Sequence, residues 1–192
     1  MRPDPTILAF DTSAAHCATA LLSGGTMTTC VEPMAKGQAE NLIPLLEKML
    51  ADAGLSWSDL DAIGVGVGPG NFTGIRIAVS AARGLSLGLG KPAIGIDGFA
   101  ARAFGQALPF TAEIPAPRGQ AYFQDFFADG TTSAPRQDAA SGGDDLDAET
   151  FVANIAMAAA ERLGTDQPRP APLYVRSADA APPRDAAPRI IA

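Results

Sequence analysis

The run Gly64-Val65-Gly66-Val67-Gly68-Pro69-Gly70-Asn71-Phe72-Thr73-Gly74-Ile75-Arg76 constrains this chain more than any other stretch. It joins an apolar, strand-like segment, Ala62 to Val67, to a helix-like segment that continues to about Leu89. Glycines at this density let the backbone approach something other than a side chain. With Thr73 as the helix cap, the free N–H groups of the first turn face the same spot. Such a turn suits an anion, a nucleotide phosphate, or tight packing against another element.

The chain has 192 residues, enough for one large domain or two small ones with a real core. Its 47% apolar share marks it as globular, and much of that share is alanine. Aromatics are only 6%, so close helix packing through small residues is expected rather than a core of large rings. A net charge of −7 argues against gripping nucleic acid unaided, because that takes clustered Lys and Arg. It leaves room for a chain that helps a basic partner do so. There is no signal-type apolar start and no apolar run long enough to span a membrane, so a cytoplasmic chain with reduced thiols is expected. Cys17, Cys30 and His16 fit no zinc-ligand spacing, and no metal is expected.

Thr6 to Phe10 reads as a buried strand ending at Asp11-Thr12-Ser13. Cys17 to Leu22 and Met27 to Val31 read as a hairpin around Gly24-Gly25, with the two cysteines as near neighbours across it. Ala39 to Ala53 reads as a helix, with Pro44 in or near its first turn and Gly54 as its stop. A second helix runs from Gly74 to Leu89, where Gly84 and Gly88 fit the close approach of a neighbouring helix. Ala93 to Ile96 reads as a strand and Phe99 to Leu108 as a helix. This order predicts an α/β fold with a mixed sheet, antiparallel first and parallel later. Beyond it come strand-like pieces over 110–136, an acidic loop over 139–149, and an Ala-rich helix from Thr150 to Leu163. A Pro-rich end with the island Leu173-Tyr174-Val175 is expected to lie extended over the surface and to fray at its tip.

Four stretches taken together resemble one family: Ile7 to Ser13, Glu40 to Leu46, Gly66 to Arg76 and Pro172 to Arg176. It is the bacterial TsaB/YeaZ family, in the glycoprotease-like branch of the actin-like ATPase superfamily. The resemblance is strongest over residues 6–100 and looser at Ala116 to Phe123. It implies an actin-like ATPase (ribonuclease H-like) fold of two lobes, residues 1–100 and a reduced second lobe over 101–192. It implies a part in tRNA threonylcarbamoyladenosine synthesis as a non-catalytic subunit. The implied partners are the catalytic paralogue TsaD and the ATPase TsaE, with a homodimer when alone, tRNA met only through the complex, and no membrane.

The turn Asp11-Thr12-Ser13 lacks the glycine of an actin-like phosphate turn. Asp11 would serve Mg²⁺ in one reading and cap its own turn in the other, and the second is favoured. The catalytic paralogue carries paired metal-binding histidines where this chain reads Lys36-Gly37-Gln38-Ala39-Glu40-Asn41. Metal catalysis is therefore not expected, and no catalytic residue is assigned. His16 reads as a hairpin residue, and both cysteines as inert thiols in strands. For Gly68, Gly70, Asn71, Thr73 and Gly74 two readings stay open, a cradle for weakly held ATP or ADP and a pure packing turn. A Walker loop is excluded, since no Gly-Lys-Ser/Thr follows. Leu42, Leu46, Met49, Ile75, Ala78, Val79 and Ala82 are candidates for a helical interface, with Arg76 as a partner or phosphate contact. The rival class is a stand-alone actin-like ATPase or a glycoprotease-type metallopeptidase.

Overall fold

The computed structural model describes residues 4–143 and 146–175. Its larger sheet has the strand order β3-β2-β1-β4-β5, formed by Thr26–Pro33, His16–Ser23, Ile7–Asp11, Ala62–Gly66 and Ala93–Ile96. β1, β2 and β3 pair antiparallel, while β4 lies parallel to both β1 and β5. This is the mixed sheet expected of the ribonuclease H-like class. A second sheet, β6-β7-β8, is an antiparallel meander of Phe110–Ala116, Gln120–Phe126 and Arg136–Ala139.

Every residue of β1 and β4 is buried, because helices cover both faces of the sheet. On one face, Leu8, Phe10, Ile63 and Val65 meet α1 (Gln38–Asp52) and α2 (Phe72–Leu89). On the other, Ile7, Ala9, Ala20 and Ala62 meet α4 (Ala148–Arg162). Small residues set this second contact. A Cβ on Gly64 would sit 3.0 Å from the Ala9 Cβ and 3.2 Å from the Ala159 Cβ. The alanine-rich composition is thus spent on close helix-to-sheet packing.

Several elements depart from the sequence expectation. α4 was placed with the second lobe, yet Phe151, Val152, Ile155 and Ala159 pack on the first sheet. The helix expected over 99–108 is α3, Gly98–Ala103, where Asp97 caps the start and Phe104 turns extended. α2 is capped by Asn71 rather than Thr73: the Asn71 side chain accepts from the Gly74 N–H at 2.9 Å, and Thr73 already lies inside the helix. Asparagine is the stronger cap of the two. The cysteines are near neighbours as expected, but diagonal rather than directly opposite, since Cys17 pairs with Glu32 and Cys30 with Thr19. Both are free thiols. Gly84 and Gly88 are exposed, with no atom within 4 Å of where a Cβ would stand, so no helix among the described residues approaches them.

The last described segment lies extended, as expected. The Leu173 N–H donates to the Val67 carbonyl at 2.8 Å, and its side chain bridges the α1–α2 core and the small core under β6 and β7. The expected fraying at the tip falls outside the described residues.

Candidate functional site

The turn after β1 and the glycine run after β4 meet at the same end of the sheet. Asp11 is buried, and its Oδ1 accepts from the Ser13 N–H at 2.9 Å and the Ser13 hydroxyl at 2.8 Å. The turn is therefore capped by its own side chain. The Thr12 hydroxyl donates to the Gly74 carbonyl at 2.7 Å, and the Asn71 N–H donates to the Ser13 carbonyl at 2.7 Å.

The glycines lie against this turn. A methyl on Gly74 would coincide with the Thr12 carbonyl oxygen, and one on Gly66 with Asp11 Oδ2. A methyl on Gly70 would stand 2.7 Å from the Ser13 carbonyl, and one on Gly68 would strike Ile75 and the Leu173 backbone. The Thr12-Ser13 backbone itself is what the glycine loop approaches. Of the N–H groups in the first turn of α2, that of Gly74 is already taken by Asn71.

Asp11 Oδ2 is buried without a hydrogen-bond partner, and so is His16 Nε2, which lies 3.6 Å from Asp11 Oδ1. Oδ2 is closed off by Gly66 and has no open side. A lone carboxylate so enclosed does not fit the octahedral oxygen shell of Mg²⁺. Among the described residues there is no group of three or more His, Cys, Asp or Glu that could hold a metal ion. Cys17 is an unpromising nucleophile: burial, then the negative charges of Glu32 and Asp11, push its thiol up to about 11.

The helical candidates separate by face. Leu42, Leu46, Met49, Ile75, Ala78, Val79 and Ala82 are all buried in the chain's own core. As named surface contacts they are corrected: the sheet face uses them. The outward positions of α2 are Ile77, Ser80, Ala81, Gly84 and Gly88, at spacings of three, four, seven and eleven, with Leu87 beside them 83% exposed. No helix of the described residues is long and apolar enough to cross a membrane.

Arg76 is the one interface candidate at the surface. Its guanidinium stands 3.7 Å from the centre of the Phe72 ring, and its Nε donates to the Tyr174 hydroxyl at 3.0 Å. The Phe72 and Tyr174 rings stack at 5.2 Å. This cluster borders a groove of about 520 Å³ between α1 and α2, with Leu42, Ile43, Ile77 and Ala81 in its lining. Phe72 and Tyr174 were missed as site residues. The available signal was the spacing of Phe72 and Arg76, four apart on one helix.

The comparisons with known proteins agree with this architecture. A model of the family described as TsaD, tRNA N6-adenosine threonylcarbamoyltransferase, matches residues 32–139. The tRNA threonylcarbamoyladenosine biosynthesis protein TsaB of Escherichia coli K12 is 34% identical over 128 residues, covering 64% of this chain and 55% of that protein. The Haemophilus influenzae TsaB is 36% identical over 123 residues, covering 62% and 52%. The chain thus spans about half the length of these curated relatives. The solved YeaZ of Pseudomonas aeruginosa superposes with a TM-score of 0.67 at 26% identity, covering 88% of this chain and 99% of that one. With the family model matching more than half of the chain and these relatives beside it, the chain belongs to the TsaB/YeaZ family of TsaD-related proteins.

Proposed function

We propose that this chain serves tRNA threonylcarbamoyladenosine synthesis as a non-catalytic subunit. It activates a catalytic paralogue of the TsaD type by presenting the outer side of α1 and α2, and it contacts tRNA only through that complex. The observation that carries the reading is the outer face of α2. Gly84, Gly88 and Ala81 leave its backbone open to close approach, and Leu87 stands out beside them, uncovered among the described residues. The Phe72–Arg76–Tyr174 cluster at the rim supplies the aromatic and arginine groups that dominate protein interfaces. In the absence of the paralogue the same face pairs with a second copy. The ATPase TsaE joins the assembled pair.

Under this reading the glycine loop is a structural weld. It locks α2 to the Asp11–Ser13 turn, so the angle of the presented helix is set by the sheet. The lack of paired histidines at Lys36 to Asn41 supports a subunit rather than a second catalyst. The test is tRNA modification by the TsaD-type paralogue, its ATPase and the threonylcarbamoyl donor, with and without this chain. Activity should need the chain and should fail with Leu87→Asp; full activity without it would overturn the proposal.

A further inference from the structure

A second feature lies beside the edge strand β5, in a cavity of about 720 Å³. The end of α2, the start of β5, the end of α4 and residues 164–170 line it, and it opens to the surface. It shares no lining residue with the Asp11–Gly74 weld.

Arg83, Arg162 and Arg169 line this cavity. Arg83 and Arg162 are half-buried, and each is tethered by a backbone carbonyl instead of a carboxylate. Arg83 Nε donates to the Pro170 carbonyl at 2.6 Å, and Arg162 Nη1 to the Gly95 carbonyl at 3.3 Å. Among the described residues no carboxylate makes an ion pair with any of the three. Asp166 lines the same cavity and pairs with none of them.

In a chain of net charge −7 this cavity carries three guanidiniums against the single carboxylate of Asp166. Half-burying a guanidinium costs solvation, which proteins ordinarily recover with a carboxylate partner. Here the recovery is incomplete. The carbonyl tethers fix two of the forks while using one of the five N–H groups of each. Pre-set forks with free donors match the geometry of phosphate oxygens. The cavity volume falls in the range of about 300–1,000 Å³ typical of small-ligand sites, and Pro92, Ile94 and Leu163 give it an apolar wall.

We propose that this cavity binds a phosphate-bearing ligand of nucleotide size, with Arg83, Arg162 and Arg169 gripping the phosphate. Calorimetric titration of the full chain at low salt with pyrophosphate, ATP and a tRNA transcript tests this. Arg169→Gln removes an untethered surface guanidinium and should weaken binding about tenfold, as should Arg162→Gln. Asp166→Asn removes a like charge and should strengthen binding about threefold. Response of pyrophosphate and ATP to these variants assigns the phosphate to a free nucleotide. Response of tRNA alone would place the arginines on an RNA backbone and overturn the nucleotide-sized ligand. Binding that is unchanged by both Arg169→Gln and Asp166→Asn, or absent for all three probes, would overturn the proposal.

Discussion

At the residue scale, the same amino acid has opposite meanings at two positions of one helix. Gly74 sits where any side chain would enter the Thr12 carbonyl, and the bond from the Thr12 hydroxyl pins that backbone in place. Gly84 faces open space in an ordinary helical conformation. Gly74→Ala should therefore cost about 2–3 kcal/mol, whereas Gly84→Ala should add about 0.5–1 kcal/mol by reducing the freedom of the unfolded chain. Chemical denaturation of the two variants checks both signs. The cysteines divide in a similar way. Cys17 is buried with its thiol pushed up to about 11, while Cys30 is partly exposed. Iodoacetamide at pH 8 followed by mass spectrometry should label Cys30 and spare Cys17 in the folded chain.

At the scale of elements, the second sheet depends on a buried carboxylate. Glu113 on β6 accepts from the Ser141 hydroxyl and from the N–H groups of Ser141, Gly142 and Gly143 at 2.9, 3.3 and 3.2 Å. The Ser141 hydroxyl, then these N–H groups, hold its carboxyl below its usual range against the opposing effect of burial. A carboxyl depressed on folding adds stability that is fully present above its unfolded value of about 4.3 and fades as pH falls through the folded value. The urea midpoint should thus drop more steeply below about pH 4 in the parent than in Glu113→Gln. Equal slopes would contradict this account of the loop. The hairpin β2–β3, helices α1 and α2 and the strand before the glycine run were legible because each carries its own period or turn residues. The docking of α4 was not. An alanine-rich helix has a weak apolar stripe, and its partner face was fixed by Gly64, Ala9 and Ala20, small residues of distant strands. The interface candidates failed for a related reason. Ile75, Ala78, Val79 and Ala82 follow the helical period of a core face, and the sheet claims that face first. Of the glycine run, the tight approach was legible. What it approaches, the Thr12-Ser13 backbone, is a tertiary fact.

At the scale of the whole molecule, three layers leave one long helical surface uncovered. The sheet uses the inner stripes of α1 and α2, and the outer side of α2 keeps Leu87, Ala81 and two bare glycines. Leu87→Asp should leave the unfolding midpoint within about 0.5 kcal/mol of the parent. By light scattering coupled to gel filtration it should abolish association, both with a second copy and with the paralogue. The most direct test of the central claim is modified adenosine in tRNA, measured with the TsaD-type paralogue, the ATPase and the donor, with and without this chain. The account predicts modification only when the chain is present, and its loss with Leu87→Asp. Modification at the full rate in its absence would contradict it.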